Sequence, residues 1–174
     1  LLWDSGQGIA VPMRSKEEAH DYRYFPDPDL VPVLVTEEWI QRVAETLPED
    51  PTVRRARFVA EYKIPMYDAN LQTAEKPLAD YFEGVVRNLK TATEENYKLA
   101  SNWTMVDVLR VVNTENIALA VFPITPAHLA EMINLIADGT ISGKMAKDVF
   151  EEMHTTKESP RTIVERKGLV QVSD

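Results

Sequence analysis

The stretch Thr125-Pro-Ala-His-Leu-Ala-Glu-Met-Ile-Asn-Leu-Ile-Ala-Asp-Gly139 carries the clearest helix signals in the chain. Thr125 can accept a hydrogen bond from a free backbone N–H at a helix start, and Pro126 suits the first helical position. Gly139 fits the left-handed backbone conformation that often ends a helix. Between these ends, apolar residues recur at the spacing of one helical face: Leu129, Met132, Ile133 and Ile136. We therefore predict an amphipathic helix with one buried face.

Similar signals recur on both sides of this stretch. Helix starts are predicted at Thr36, Asp50-Pro51, Pro77, Ser142 and Ser159-Pro160, and a helix stop at Gly168. A longer helical pattern runs from Glu95 to Val112, with Asn102 as a candidate break. Residues 65–73 are interpreted as a linker or a single turn. The chain is therefore predicted to be mainly α, with a helical domain of about seven helices.

The first part of the chain has a different pattern. Apolar residues flank Gly6 and Gly8, which predicts a hairpin or a strand end. The apolar run Leu30–Val35 predicts a short strand at a sheet edge, because Pro32 cannot donate a backbone hydrogen bond. An isolated two-stranded unit is marginal in water, so we expect its partners to lie in sequence outside this chain. The chain is thus predicted to divide near residue 35.

Composition limits the classes of protein that the chain can represent. Its 174 residues, 44% of them hydrophobic, suffice for one domain or for one small domain and part of another. No apolar run is long enough to span a bilayer, and the start has neither a methionine nor a signal-peptide layout, which predicts a piece of a longer polypeptide. The absence of cysteine fits a reducing compartment, so we expect a cytoplasmic protein. A net charge of −9 makes the whole chain a poor nucleic-acid binder, unless a local basic face supplies the contacts.

The stretch Arg14–Leu30 combines aromatic, charged and proline residues, which indicates a specialised loop. Potential metal ligands, a general base and a phosphate-binding guanidinium occur within seven residues: Glu17, Glu18, His20, Asp21 and Arg23. The alternative is a capped helix start with solvated charges and packed aromatic side chains. The chemistry of these residues alone favours that structural alternative.

Two groups of basic residues are candidates for contact with phosphate. Arg54, Arg55 and Arg57 mark the outer side of a predicted helix. The alternative is a solvated helix face, which is the usual role of a run of charges.

The second basic group consists of Lys144 and Lys147, which face outward on the helix that starts at Ser142. Asp148 and Glu151 stand four residues further on, so surface ion pairs are the alternative to phosphate binding. His128 and His154 have no neighbouring ligand cluster, and no metal site is predicted. No glycine-rich phosphate loop occurs in the sequence.

Three blocks of sequence carry a family resemblance. They are Met13–Leu30, Ile64–Thr73 with its continuation Asp80-Tyr-Phe-Glu83, and Asp138–Lys147. Together they closely resemble the B subunit of the tRNA-dependent amidotransferase, including the region of that protein that is similar to YqeY-type proteins. The resemblance implies that residues 1–35 are the incomplete C-terminal end of a catalytic cradle domain. It implies that residues 36–174 are a YqeY-like helical domain, with a tail domain that follows residue 174.

The resemblance also implies a function. Members of this family convert Glu-tRNA(Gln) to Gln-tRNA(Gln) and Asp-tRNA(Asn) to Asn-tRNA(Asn), using ATP and Mg²⁺ to form an acyl phosphate that ammonia then displaces. The A and C subunits of the heterotrimer and tRNA(Gln) or tRNA(Asn) are the implied partners. By the same resemblance, Asp21, Arg23 and Tyr24 line or support the catalytic site.

The chain by itself is expected to lack catalytic activity and to bind neither ATP nor Mg²⁺, because the principal ligands of the family lie in other sequence. Its helices are expected to contact the tRNA body and to orient the neighbouring domains. The alternative is a helical protein-interaction or structural module that makes no RNA contact, which the acidic net charge favours.

Overall fold

The computed structural model describes residues 2–11 and 29–169, which form two compact units, Leu1–Leu47 and Pro48–Asp174. The candidate catalytic residues Asp21, Arg23 and Tyr24 lie outside the described residues, as do Glu17, Glu18 and His20. The division between the units falls after Leu47, whereas the sequence places a domain boundary after residue 35. The boundary after residue 35 stays a prediction, because the division into compact units does not show whether residues 36–47 belong to the catalytic or to the helical domain.

The first unit contains the predicted hairpin. Strands β1 (Leu2–Asp4) and β2 (Ile9–Val11) pair in antiparallel register. The Asp4 carboxylate accepts hydrogen bonds from the backbone N–H groups of Gly6 at 2.8 Å and Gln7 at 3.1 Å, and this closes the turn. Gly8 adopts a φ of +66°, a conformation that a residue with a Cβ would rarely adopt.

One prediction for this unit is wrong. The run Leu30–Val35 forms no strand, and within the described residues it pairs with no other strand. A strand needs a hydrogen-bonded neighbour, and Pro32 removes one of the donors that would recruit it. Helix α1 (Glu37–Thr46) then begins at Thr36, as predicted.

The described part of the second unit consists of helices and the loops that connect them, without a strand. Its helices are α2 (Pro51–Tyr62), α3 (Met66–Gln72), α4 (Lys76–Arg87), α5 (Glu94–Asn102), α6 (Leu109–Glu115), α7 (Pro126–Ala137), α8 (Gly143–Thr156) and α9 (Pro160–Lys167). A π-helical segment, Trp103–Val108, joins α5 and α6 into one continuous helix, and a short 3₁₀ turn follows at Leu119–Val121. Counted this way, the described part of the unit has seven helices, which confirms the predicted mainly α fold.

Except at Pro77, the predicted helix starts are confirmed by capping hydrogen bonds. Helix α4 begins one residue before Pro77, at Lys76, and its N-cap residue Glu75 forms no side-chain capping bond. Asp50 accepts from the N–H groups of Thr52 at 2.7 Å and Val53 at 3.3 Å. The hydroxyl groups of four other residues each accept from the N–H three residues on: Thr36, Thr125, Ser142 and Ser159. These side chains satisfy donors that have no partner inside the helix. Gly168 ends α9 with a φ of +63°, as predicted.

Residues 66–72 form a helix, whereas the sequence indicates a linker or a single turn. The helix is stabilised by tertiary packing, because Ala69 and Gln72 have no exposed surface. Gln72 donates hydrogen bonds to the carbonyl and hydroxyl oxygens of Ser101, each at 3.3 Å, and Ser101 donates to Asp68 at 3.4 Å. These contacts attach α3 to the C-terminal end of α5, a partner far away in sequence.

Helix α7 lies in the core of the second unit and contacts α4, α5, α8 and α9. Four of its side chains are fully buried: Leu129, Ala130, Met132 and Ile133. Helix α4 approaches closely at Gly84, where an added Cβ would lie 2.9 Å from the Cβ of Pro126. The Tyr81 hydroxyl of α4 donates to the Ile124 carbonyl at 2.9 Å, and burial raises the pKa of Tyr81. The predicted buried face of this helix is thereby confirmed.

Candidate nucleic-acid interface

The sequence had placed Arg54 on the outer side of α2, but the structure does not. Its side chain is turned towards α4, and the residue is only 8% exposed. One guanidinium nitrogen donates to Asp80 at 2.7 Å and also to Glu83. The positive charge of Arg54 is therefore neutralised inside the protein and is not available to a phosphate.

Arg57 is also bound by acidic side chains. Its guanidinium forms a bidentate pair with Glu49, at 2.9 and 2.6 Å, and donates to Glu83 at 2.7 Å. The hydrogen bond from Arg57 lowers the pKa of Glu49. Burial alone would raise the pKa of Glu83, but the hydrogen bonds from Arg57 and Arg54 outweigh it and lower this pKa overall.

The network formed by Arg54, Arg57, Glu49, Asp80 and Glu83 is here called the α2–α4 ion network. It lies against the core, because both guanidinium carbons are near the ring centre of the buried Phe58, at 5.6 and 5.4 Å. Bidentate and stacked arginines are held in fixed geometry by such contacts. The network therefore joins two helices, and this role is structural.

Arg55 differs from its two neighbours. It is half-buried, and it forms no ion pair with any residue from 29 to 169. Its Nε is buried and has no hydrogen-bond partner in this part of the chain. Of the three arginines, Arg55 is the one whose charge is not bound by a carboxylate of the described residues.

Lys147 pairs with a residue that the sequence did not indicate. Its ammonium donates to both carboxylate oxygens of Asp107, at 2.7 and 2.6 Å, and lies 4.2 Å from the ring centre of Trp103. The pair expected with Glu151 is absent among the described contacts, since Glu151 binds Arg110 instead. Lys147 therefore joins α8 to the π segment across 40 residues of sequence.

Lys144 is exposed, as predicted for an outward-facing position. Within the part of the chain that the structure describes, it forms no ion pair, so the expected partner Asp148 does not bind it. The five predicted RNA-binding residues thus fall into two kinds. Arg54, Arg57 and Lys147 are bound by acids, whereas Arg55 and Lys144 form no ion pair with any of the described residues.

A cleft of mixed polar and apolar lining, which the sequence did not indicate, lies between the start of α5 and the end of α7. Its volume is about 400 Å³, and Lys90, Asn96, Asn134 and Asp138 are among its lining residues. Asn134 accepts from the Lys90 backbone at 3.0 Å, which ties the loop after α4 to α7. Asp138 has a lowered pKa, chiefly because Thr140 donates a hydrogen bond to it. The only sequence signal for this cleft was the position of Asp138 in the third family block.

Metal-binding and membrane-spanning features are both absent from the described residues. No group of three or more histidine or acidic side chains in residues 2–11 and 29–169 could hold a metal ion. No helix in those ranges is both long and apolar enough to cross a membrane.

Comparison with protein families assigns both parts of the chain. Residues 80–174 match the model described as GatB domain, and residues 1–41 match the GatB/GatE catalytic domain. The first match covers the helices of the second unit from α4 onward, and the second match ends within α1. The catalytic-domain match comes first in the chain, and residues 42–79 lie between the two matches.

Individual relatives share one name, that of the B subunit of aspartyl/glutamyl-tRNA(Asn/Gln) amidotransferase. The protein of Geobacter sp. (strain M21) is 51% identical over 174 residues, covering 99% of this chain and 35% of the relative. Those of Caldanaerobacter subterraneus and Prosthecochloris aestuarii are 48% and 51% identical, with the same two coverages. The chain thus spans about a third of the length of these curated relatives (35%). With the GatB domain model matching residues 80–174, more than half of the chain, the protein belongs to the GatB family of amidotransferase B subunits.

Proposed function

We propose that this chain is part of a subunit that amidates tRNA-bound glutamate, aspartate or both, yielding Gln-tRNA(Gln) or Asn-tRNA(Asn). The observation that carries this proposal is the succession of a catalytic-domain match and a GatB-domain match in one chain. Relatives that are about half identical to it (51% and 48%) bear the corresponding name. The A and C subunits, tRNA and a cytoplasmic location are proposed with it.

The proposed reaction joins ammonia to a carboxylate, which needs activation because its oxygen is a poor leaving group. ATP phosphorylates the carboxylate and leaves as ADP, and ammonia then displaces phosphate from the acyl phosphate. Phosphoryl transfer of this kind commonly uses Mg²⁺ to neutralise developing charge. The described residues offer no ligand group that fits such an ion, so no step of the reaction is assigned to them. Asp21, Arg23 and Tyr24 remain proposed neighbours of the catalytic site.

For the helical unit we propose contact with the tRNA body. Support comes from Arg55 and Lys144, whose charges are not bound by a carboxylate of the described residues. Arg54, Arg57 and Lys147 would then act by holding helices in position rather than by binding phosphate. The sequence alone had suggested phosphate contact for all five basic residues, whereas the proposal now assigns it to Arg55 and Lys144.

The rival proposal is a helical module that contacts protein and no RNA. The net charge of −9 favours it, and so does the neutralisation of Arg54, Arg57 and Lys147 by internal acids. Both proposals keep the chain in the same amidotransferase protein. They differ in whether the helical unit binds tRNA by itself.

Binding of the chain to tRNA(Gln), tRNA(Asn) and a non-cognate tRNA across a salt series separates the two proposals. The slope of log affinity against log salt is negative, and each lost phosphate contact reduces its magnitude by roughly 1. Arg55→Ala combined with Lys144→Ala should therefore reduce that magnitude by about 2. The matched control is Lys98→Ala with Lys157→Ala, which removes the same charge at two exposed lysines elsewhere. Equal losses in both double variants, or no binding at low salt, would favour the rival.

Amidation tests the other expectation, that the chain alone is inactive. Purified chain is incubated with glutamate-charged tRNA(Gln), ATP, Mg²⁺ and ammonium, and the released amino acids are separated after deacylation. No glutamine above the enzyme-free blank is expected, because the family resemblance places the principal metal ligands in sequence outside this chain. Turnover by the chain alone would contradict the expectation without removing the chain from its family.

A further inference from the structure

Helix α1 has an apolar face without a partner among the described residues. The face consists of Trp39, Ile40, Val43 and Leu47, which follow one another at helical spacing. Together with Val35 and Ala44 they line a groove of about 360 Å³ that contains only apolar surface. Trp39 is 43% exposed and Leu47 is 67% exposed, so neither side chain is buried by the described chain.

The opposite face of α1 is polar. It carries Glu37, Glu38, Gln41, Arg42 and Glu45. A helix with this division normally buries its apolar stripe, since water-exposed helices have no reason to segregate their side chains. The face is therefore built for contact with another surface.

The described residues of the first unit contain no core that could provide such a surface. All residues from 29 to 50 are exposed, and Trp3 and Ile9 of the hairpin are exposed as well. Apolar patches of this extent are uncommon on independent proteins and usually mark an interface. A hairpin and one helix are also too small to bury a sufficient core.

The family matches indicate what completes this unit. The GatB/GatE catalytic-domain match covers residues 1–41 and ends in the middle of α1. This chain corresponds to only 35% of the Geobacter relative, so most of that relative's length lies outside the match. We propose that the apolar face of α1 docks on the remainder of the catalytic domain. Residues 36–47 then belong to the catalytic domain and not to the helical one.

Because the chain has no cysteine, single cysteines can report on each face of α1. Val43→Cys places a thiol on the apolar face, and Gln41→Cys places a matched control on the polar face of the same helix. Each is introduced into this chain and into a longer protein that joins the chain to the remaining part of the Geobacter relative, with other cysteines replaced by serine. Reaction with a maleimide is followed by mass spectrometry. Thermal unfolding of each variant shows that the helical unit is still folded.

The proposal expects Val43→Cys to react about tenfold or more slowly in the longer protein, because access requires local opening of the docked helix. Gln41→Cys should react equally fast in both proteins. Equal rates for Val43→Cys in both proteins would overturn the proposal. Slow reaction of Val43→Cys in this chain alone would overturn the proposal too. If that rate is independent of protein concentration, another part of the same chain covers the apolar face. If the rate falls with concentration, a second copy is the occupant.

Discussion

Lys147 binds both carboxylate oxygens of Asp107, at 2.7 and 2.6 Å, although the two residues lie 40 positions apart in the chain. Asp107 is almost wholly buried in the π segment, with 6% of its surface exposed, whereas Lys147 is an exposed residue of α8. The Trp103 ring, 4.2 Å from the ammonium, adds a cation–π contact. The pair therefore supplies the charge that a buried carboxylate requires.

Replacement of Lys147 by methionine should lower the free energy of unfolding by about 1–2 kcal/mol, because Asp107 would stay buried without its partner. Lys144→Met removes the same charge from the same helix without breaking any ion pair between described residues, and its effect should stay within about 0.5 kcal/mol. Urea unfolding followed by fluorescence measures both. Asp107→Asn added to Lys147→Met should recover part of the loss, since it removes the buried charge. Equal effects of the two lysine variants would contradict this role.

Arg54 and Arg55 offer a similar contrast between neighbouring residues. Arg54→Leu should cost about 2–4 kcal/mol in unfolding free energy, because the buried Glu83 and the partly exposed Asp80 would lose a shared partner. Arg55→Leu leaves every described ion pair intact and should cost less than about 1 kcal/mol. Thermal or urea unfolding tests the difference. If Arg55→Leu lost more unfolding free energy than Arg54→Leu, the α2–α4 ion network would not be the main stabilising feature of this helix face.

Local sequence signals predicted the helix starts well. A capping side chain such as Thr125 or Ser142 acts on backbone groups within three residues, so its effect is visible in the sequence. The apolar stripe of the α7 stretch likewise predicted its buried face. Even Asn102, the candidate break, stands next to the first residue of the π segment, although the helix continues through it.

Contacts between distant residues were not predictable in this way. Glu83 lies 29 positions from Arg54, so local spacing gave no sign of this pair. Asp107 lies 40 positions from Lys147, for which spacing along one helix had suggested Glu151 instead. Residues 66–72 became a helix through burial of Gln72 against Ser101, another contact between distant positions. For the candidate site, sequence therefore identified the basic residues but not which of them remain unbound by acids.

The α2–α4 ion network should make stability depend on pH in the acidic range. The pKa of Glu83 lies below its ordinary value of 4.5, so the unfolded chain takes up protons first as the pH falls. The network contributes fully to the unfolding free energy above the ordinary pKa of Glu83. This contribution is lost as the pH falls through the lower pKa that Glu83 has in the folded protein. Unfolding free energy should therefore decrease as the pH falls below the ordinary pKa of 4.5.

Glu83→Gln isolates this dependence. The variant should be less stable than the original chain at pH 7, and the gap should shrink as the pH is lowered, because protonation abolishes the same charge in the original chain. Glu45→Gln on α1, where no residue is buried, serves as the control. Urea unfolding at each pH gives the comparison. A gap that stays constant from neutral to acidic pH would show that the Glu83 charge contributes nothing.

Gly84 sets the distance between α4 and α7. An added Cβ would lie 2.9 Å from the Cβ and 3.1 Å from the Cγ of Pro126, closer than carbon atoms pack. Gly84→Ala should therefore cost about 1–3 kcal/mol in unfolding free energy, since two core helices must separate. Gly143, in the first turn of α8, has open space where a Cβ would be added. Gly143→Ala should leave stability unchanged or raise it by up to about 1 kcal/mol, because alanine restricts the unfolded chain.

Thermal unfolding of the two glycine variants tests this spacing argument directly. The melting temperature should fall for Gly84→Ala and stay level or rise for Gly143→Ala. Alanine favours helix in both variants, so the difference between them isolates the contact with Pro126. If Gly84→Ala instead gained stability, the intrinsic helix preference of alanine would outweigh the crowding. The approach of α4 to α7 would then tolerate a methyl group, and the requirement for glycine at this crossing would be refuted.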